Sequence, residues 1–325
     1  MIASREYSSF LDTEYLRSFV AHGGSAVKFV VPVNEAELLG FGEALRATAA
    51  GAGYVRVRVD ASQTKIHLMD QVFFEIARQI DWDDLATTTV KAAYKAALWP
   101  VTGEDVTVGA VAEHHGVDAG EVSRDVNRQL QQIVQRDFAM VQEFRTAALR
   151  LCQAKLGTGQ VTEAEREAVI GWLTGELKQM SLLRSAAIFR RIGRHNARHL
   201  LFSLSHWMAA NGCPGLLVEL DITRLGFARR PSPGERQGFY YTKGTLLDAY
   251  ELLRQLVDNT DELAHCCVVV VAAPEFLTDE SRGVTAYQAL KLRIHDEVRD
   301  RRRDNPYSSL VRLGPRQLTN EGSPA

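Results

Sequence analysis

The octapeptide PVNEAELL at 32–39 occupies a position where many α/β proteins bind phosphate. It follows the apolar run VKFVV at 27–31 and precedes a segment of helical character. In a loop of the form GxxxxGK[ST], glycines let backbone N–H groups converge on an anion, while a lysine adds charge and a hydroxyl holds Mg²⁺. The octapeptide has the length of that loop, so the two can be compared position by position.

The comparison predicts a degenerate slot without triphosphate affinity. Pro32, which has no N–H group, stands at the first glycine position, and Glu37 stands at the second. Leu38 and Leu39 replace the lysine and the hydroxyl residue, and Glu35 adds a further carboxylate. At about 4 Å, a carboxylate and a phosphate charge repel by about 4 kcal/mol at an effective dielectric constant of 20. From this stretch alone, an ordinary strand–helix connection is the favoured alternative.

Two positions later in the chain also lack the polar side chains that ATPases use for catalysis. The run GLLVELD at 215–221 has the form of a Walker B strand and ends in an acid, Asp221. The next residue, commonly a glutamate that orients the attacking water, is Ile222. The following apolar strand ends at Ala273, where a polar residue often senses the γ-phosphate. The sequence therefore predicts that a strand framework persists without its catalytic side chains.

Five short apolar runs supply that framework. They lie at 27–31, 54–60, 215–221, 266–273 and 309–313. Helical patterns separate them, at 36–50, 67–80, 193–211, 244–258 and 284–303. Apolar strands that alternate with helices are typical of a parallel sheet covered on both faces. We therefore predict an α/β protein with a P-loop NTPase-like parallel sheet of about five strands and a large helical insertion.

The same pattern predicts four segments. Residues 1–84 form the first part of the α/β core, 85–190 a helical insertion, 191–315 the second part of the core, and 316–325 a flexible tail. Within the insertion, helices are predicted at 85–98, 107–115, 119–152 and 162–178.

Composition excludes several classes of protein. With 46% hydrophobic residues and a net charge of −2, the chain is globular and has no overall attraction to nucleic acid. Its four cysteines show no CxxC spacing, and the N-terminus has no apolar signal core. The sequence thus predicts a cytoplasmic protein with no bound cofactor and no membrane association.

Several blocks, in order, resemble one family. They are GGSAVKFVV (23–31), VIGWLTGE (169–176), GRHNARHLLFSLSHWMAANGCPGLLVELD (193–221), LLRQLVDN (252–259) and VVAAPEFLTDESRGVTAYQALKLRI (270–294). Together they resemble the ATP-binding components of BREX-type bacteriophage-exclusion systems, a branch of the P-loop ATPases related to AAA+ proteins. The resemblance implies an antiphage defence assembly, and it places Arg293 where the family keeps an arginine that could act on a neighbour's nucleotide. Because the chemical positions are replaced, this chain is expected to be a degenerate member.

Two further patterns suggest other sites. TVGAVAEHHGVDAGEVSRDVN at 107–127 resembles the helix-turn-helix of LacI-type repressors, although its second helix would present Asp118, Glu121 and Asp125 to DNA. His195, His199 and His206 fall on one predicted helix, and no metal site is expected there because zinc needs a further ligand and an open position.

A loop beyond the Walker B strand carries the residues predicted to form an interface. Leu225, Phe227, Phe239, Tyr240 and Tyr241 fall within 225–241, next to the carboxyl edge of the sheet where ligands and partners meet α/β proteins. The alternative is that these side chains fold back and fill the vacated phosphate pocket.

Three functional hypotheses follow. The first is a catalytically inactive ATPase-like subunit, a scaffold or regulator whose partner is an intact ATPase homologue or a helicase-like defence component. The second is a DNA-binding adaptor that uses 107–127. The third is an ATPase with non-standard nucleotide binding.

Overall fold

The computed structural model describes residues 1–101, 103–227, 238–295 and 304–315. The predicted tail, 316–325, lies outside these residues. The chain forms two compact units, one made of Met1–Leu68 with Cys213–Ala325 and the other of Met69–Gly212. In the described part of the chain, no helix is both long enough and apolar enough to cross a bilayer.

Helices and strands alternate in the first unit, and the second unit interrupts them. The chain begins with α1 (Ser4–Phe10), a π-helical stretch (Leu11–Val20), β1 (Ser25–Pro32), α2 (Glu35–Gly51) and β2 (Val55–Asp60). The second unit contributes α3 (Met69–Ala77), α4 (Trp82–Ala96), α5 (Val108–His115), α6 (Ala119–Leu130), α7 (Gln142–Lys155), α8 (Glu163–Leu173) and α9 (Ala197–Ala210). The first unit then resumes with β3 (Leu216–Asp221), α10 (Lys243–Asp258), β4 (Cys266–Val271), α11 (Glu275–Thr278), α12 (Gln288–Ile294) and β5 (Leu310–Leu313).

The five strands of the first unit lie parallel in one sheet, in the order β2-β3-β4-β1-β5. In this register Val30 lies opposite Val271 on β4 and Val311 on β5. Strands β3 and β4 are buried at every position, as expected for strands covered on both faces. The predicted α/β class and five-stranded parallel sheet are confirmed, and the arrangement is consistent with a P-loop NTPase-like fold.

Helices α1 and α2 and the π-helical stretch cover one face of this sheet. Tyr7, Phe41 and Leu45 are at most 1% exposed and share a core cluster with Val30 of β1 and Leu217 of β3. Fully burying a Leu or Phe side chain contributes roughly 1.5–3 kcal/mol. This core fixes the carboxyl ends of the strands, where the candidate site lies.

The described residues of the second unit form helices and no strand. Its core contains Trp82, Phe144 and Trp207, whose ring centroids lie 5.9 to 6.4 Å apart. Each of these rings is at most 5% exposed. Aromatic packing of this kind holds α4, α7 and α9 together.

The prediction of one helix over 119–152 is wrong. Helix α6 passes into a short π-helical turn, and α7 begins only at Gln142. Between them, an Asp137 carboxylate oxygen accepts the backbone N–H of Ala139 at 3.1 Å, and its other oxygen lies 2.8 Å from Nε2 of His206. A side chain that binds the local backbone in this way competes with the helical ladder and ends it.

Two other helices are shorter than predicted. The helix predicted over 162–178 ends at Leu173, because the chain turns at Gly175 with a φ of +78°. In the region 284–303, a 3₁₀ turn precedes the short helix α12, and residues 296–303 lie outside the described residues.

Candidate functional site

The connection between β1 and α2 consists of Val33 and Asn34, since β1 ends at Pro32 and α2 begins at Glu35. Residues 35–39 of the octapeptide therefore belong to α2, which begins one residue before the helical pattern predicted over 36–50. The side-chain oxygen of Asn34 accepts the N–H of Glu37 at 2.9 Å and caps the first turn of this helix. A two-residue connection provides no row of backbone N–H groups that could surround a phosphate.

The side chains of this helical turn make different contacts from those of a phosphate-binding loop. Glu35 is exposed, and the carboxylate of Glu37 accepts the hydroxyl hydrogen of Ser4 at 2.5 Å. Leu38, at the position of the lysine, packs against the core cluster, and Leu39 is 63% exposed. Two carboxylates and an apolar side chain thus stand where a nucleotide would require a cation.

The Walker B carboxylate is engaged within the protein. Oδ2 of Asp221 accepts a hydrogen bond from Nη2 of Arg58 at 2.9 Å. Oδ1 accepts the backbone N–H and the hydroxyl of Thr223, at 3.0 and 2.7 Å. Burial works against the charge of Arg58, but the hydrogen bond to Asp221 and the charges of the neighbouring carboxylates together outweigh it and raise the pKa of the guanidinium. Asp221 therefore has both oxygens engaged by protein donors.

A second ion pair lies beside the first. Glu219 is 6% exposed and accepts a hydrogen bond from Nε of Arg56 at 3.0 Å, while Nε of Arg58 lies 3.5 Å from its other oxygen. Sequence reasoning missed both arginines. The alternation in VRVRVD indicated that they share one face of β2, but only the pairing of β2 with β3 brings them to Glu219 and Asp221.

The two other positions that were compared with ATPases carry apolar side chains, Ile222 and Ala273. Ile222, in the place of the water-orienting glutamate, is 2% exposed, and its N–H donates to the carbonyl of Val271 at 2.8 Å. Ala273 is half-buried two residues beyond the end of β4, which stops at Val271 and not at 273 as predicted, and its carbonyl accepts the N–H of Phe276 at 2.9 Å. Neither side chain can orient a water molecule or bind a phosphate oxygen.

Arg293 lies on α12 and is 42% exposed. Its Nε lies 3.1 Å from Oδ1 of Asp258 on α10, and Asp258 also accepts a hydrogen bond from Arg254. The arginine is thus engaged by a carboxylate of its own chain.

The aromatic segment is divided between core and surface. Residues 228–237 lie outside the described residues. Leu225 and Tyr241 are buried, at 1% and 2% exposed, whereas Phe227 and Phe239 are 51% and 36% exposed. Tyr240 is half-buried.

Tyr241 is held against the turn after β2. Its hydroxyl lies 2.9 and 2.7 Å from the carbonyl oxygens of Ala61 and Thr64, and it accepts the N–H of Ile66 at 3.1 Å. Since β2 lies three strands from β1, at roughly 4.8 Å per strand, this hydroxyl does not fill the phosphate slot.

Arg282 is a further residue that sequence reasoning missed. It is 8% exposed, and it donates from Nε to the carbonyl of Leu225 at 3.1 Å and from Nη2 to that of Tyr241 at 2.8 Å. This arginine therefore connects the segment after β3 to the segment before α10.

Helices α5 and α6 form a helix-turn-helix within the second unit. α5 ends at Gly116 with a φ of +66°, and a carboxylate oxygen of Asp118 caps α6 by accepting the N–H of Glu121 at 3.0 Å. Asp118 and Glu121 are exposed at the start of α6, where a DNA reader would present cations or amides. Two helices joined by a turn are present, as in the motif, but the negative charge at the start of α6 does not favour DNA binding.

The histidine pattern does not form a shared face. The helix predicted over 193–211 begins at Ala197, because the side-chain oxygen of Asn196 accepts the N–H of Gly193 at 2.8 Å. His195 therefore precedes the helix. Among the described residues, no group of three His, Cys, Asp or Glu side chains is placed to hold a metal ion.

A parallel sheet of this order, with an acid at the end of β3, defines a P-loop NTPase-like α/β protein. Over residues 16–321 the chain matches the family described as BREX system ATP-binding protein BrxC/D, and it belongs to that family, as the resemblance predicted. No curated protein and no solved structure matches it. Membership implies a role in a BREX antiphage system, in which several protein components act together.

Proposed function

We propose that this chain is a subunit of a BREX assembly that uses an ATPase-like fold as a scaffold or regulator and does not bind ATP. The observation that carries the proposal is the two-residue connection between β1 and α2, which has no phosphate-binding loop. The pairing of Asp221 with Arg58 supports it, because a carboxylate already neutralised by protein donors is a poor ligand for the water shell of Mg²⁺.

Calorimetric titration with millimolar Mg-ATP tests the proposal. We expect no saturable heat, whereas affinity tighter than about 1 mM, or roughly −4 kcal/mol, would favour the alternative of non-standard nucleotide binding. A variant with Glu35→Gln and Glu37→Gln is the matched control. It should also fail to bind, since the loop is missing in either case; binding restored by the two substitutions would identify charge repulsion as the cause.

We place the partner surface at the exposed aromatic residues beside the carboxyl edge of the sheet. The guanidinium of Arg224 lies 4.3 Å from the ring centroid of Phe227, and its Nε donates to the carbonyl of Phe239 at 3.0 Å. Nζ of Lys65 lies 5.3 Å from the ring of Phe239. Aromatic side chains beside cations are common in protein interfaces, and the partner would be an intact ATPase homologue or a helicase-like component.

Co-purification from a host that contains the remaining BREX components tests this surface. Phe227→Ala with Phe239→Ala should leave the melting temperature nearly unchanged, because both rings are exposed, and should remove the co-purifying partner. The matched control is Phe138→Ala, an exposed aromatic of the second unit that also lies beside a cation, Arg145, and it should retain the partner. A stable double variant that assembles normally would exclude this surface.

Arg293 remains available to act in trans. Its pair with Asp258 is largely exposed, and such pairs contribute about 0.2–1 kcal/mol, so a partner's nucleotide could compete for the guanidinium. Arg293→Ala should then lower the ATPase rate of the reconstituted assembly without changing its composition.

A further inference from the structure

Charge is strongly segregated along the sequence of the second unit. Residues 69–176 carry 10 Lys and Arg against 17 Asp and Glu, whereas residues 177–212 carry six Lys and Arg and no Asp or Glu. The unit is nearly neutral as a whole, so the basic segment is a local feature. Segregation of this kind creates a surface potential that net charge conceals.

The fold turns the cations of this segment outward. Leu183, Ala186 and Ile188 are at most 1% exposed, and the residues between them, with 189–191 after them, are exposed. Five exposed cations define what we call the basic strip: Lys178, Arg184, Arg190, Arg191 and Arg194.

The backbone beneath the strip is anchored to the helices of the unit. Nε1 of Trp172 on α8 donates to the carbonyl of Arg190 at 2.9 Å, and Nη2 of Arg150 on α7 donates to that of Ser185 at 3.0 Å. Nη2 of Arg191 donates to the carbonyl of Lys178 at 3.1 Å, so these two residues of the strip lie close together although 13 positions separate them in the sequence. The cations are therefore presented by a fixed backbone.

Few cations of the basic strip are paired with an acidic side chain. Arg190 lies 3.3 Å from Glu143 in a pair in which the arginine is 75% exposed. In the described part of the chain, Lys178, Arg184 and Arg194 have no carboxylate within ion-pair distance. Exposed cations without counter-charges on the protein are available to an external anion.

An exposed aromatic ring interrupts the strip. Phe189 is 73% exposed and directly precedes Arg190 and Arg191. A large apolar ring beside arginines is a stacking platform for an unpaired base, while the arginines contact the phosphates. A rigid duplex hides the faces of its bases and would gain nothing from this ring.

We propose that the basic strip with Phe189 binds single-stranded nucleic acid through the phosphate backbone and base stacking. This site shares no residue with the helix-turn-helix at 107–127, and the proposal does not depend on segment 32–39 of the first unit. With about five phosphate contacts, the affinity for a single strand should fall about 100-fold between 50 and 200 mM salt.

Fluorescence anisotropy with a labelled 20-nucleotide oligo(dT) and a 20-base-pair duplex, at 50 to 200 mM salt, tests the proposal. Replacing Arg190, Arg191 and Arg194 with Gln should weaken oligo(dT) binding at least about tenfold and reduce the salt slope by about 2. Phe189→Ala should weaken oligo(dT) binding about tenfold and leave any duplex binding unchanged.

The matched control replaces Arg124, Arg128 and Arg136 with Gln, three exposed arginines on or after the second helix of the helix-turn-helix. It changes the net charge equally and should retain binding, with the fold of every variant verified by thermal melting. The proposal is overturned if oligo(dT) does not bind at 50 mM salt, or if the control loses binding as the strip variant does. Insensitivity to Phe189→Ala, or equal competition by poly-glutamate, would overturn it too.

Discussion

The two charged regions of this protein differ in how their charges are balanced. At the edge of the sheet, Arg56 and Arg58 are paired with Glu219 and Asp221 at distances of 3.5 Å or less. On the basic strip, the cations face solvent and mostly lack a carboxylate partner. Charged side chains that are paired within the fold support its stability and are not available to bind a ligand. Exposed charged side chains without a partner contribute little to stability and remain available for binding.

Breaking the paired region should have the largest effect. Arg56→Met leaves the nearly buried carboxylate of Glu219 with a weaker cation partner, so we expect the free energy of unfolding to fall by about 2 kcal/mol. Urea denaturation at neutral pH measures this change. Adding Glu219→Gln should restore at least half of the loss, because the uncompensated charge is removed; a double variant as unstable as the single one would contradict this account.

The buried hydroxyl of Tyr241 should have a smaller effect. Tyr241→Phe keeps the ring but removes the hydrogen bonds to the turn after β2, so we expect a loss of about 1–2 kcal/mol in thermal or urea unfolding. The control Tyr7→Phe removes a buried hydroxyl that has no hydrogen-bond partner among the described residues, and it should change stability by less than about 0.5 kcal/mol. Equal losses in the two variants would show that the described hydrogen bonds of Tyr241 do not stabilise the fold.

Glu251 and Arg254 on α10 form a partly exposed ion pair whose contribution to the free energy of unfolding should depend on pH. The hydrogen bond from Arg254 lowers the pKa of Glu251 to about 2, although burial opposes the shift. A carboxyl whose pKa is lower in the folded state stabilises the fold above its unfolded pKa, about 4.3, and loses that contribution as the pH falls toward 2.

The stability advantage of the wild type over Glu251→Gln should therefore be present at pH 7 and shrink between about pH 4.3 and 2. Denaturant unfolding at a series of pH values measures it. The same comparison in an Arg254→Gln background should lose most of this dependence, because the donor that lowers the pKa of Glu251 is then removed. A constant difference across the series would mean that the ion pair does not act as described.

The strip should show the smallest effect on stability. Replacing Arg190, Arg191 and Arg194 with Gln should change the free energy of unfolding by less than about 1 kcal/mol, since exposed pairs contribute little. Differential scanning calorimetry of the variant used in the binding experiment measures this change. A large loss would mean that these arginines support the fold, and the contrast between the two regions would fail.

Segment 32–39 shows how far a local pattern can be interpreted. The absence of the glycine, lysine and hydroxyl residues of a phosphate-binding loop was visible in the sequence, and the helical pattern over 36–50 predicted the start of α2 to within one residue. The helix cap could have been predicted as well, because Asn34 followed by Glu37 has the spacing of a capping box. The comparison with a phosphate-loop motif did not give the length of the connection, which the end of β1 at Pro32 limits to two residues.

The sequence by itself determined the strands, because continuous apolar runs such as CCVVVV can be buried on both faces only within a parallel sheet covered by helices. It also determined that 32–39 carries no glycine, lysine or hydroxyl residue. The tertiary structure alone decided that Asp221 is paired with Arg58, two residues 163 positions apart. That contact depends on β2 lying beside β3, and strand order is set by the packing of the whole sheet, so no local pattern contains it.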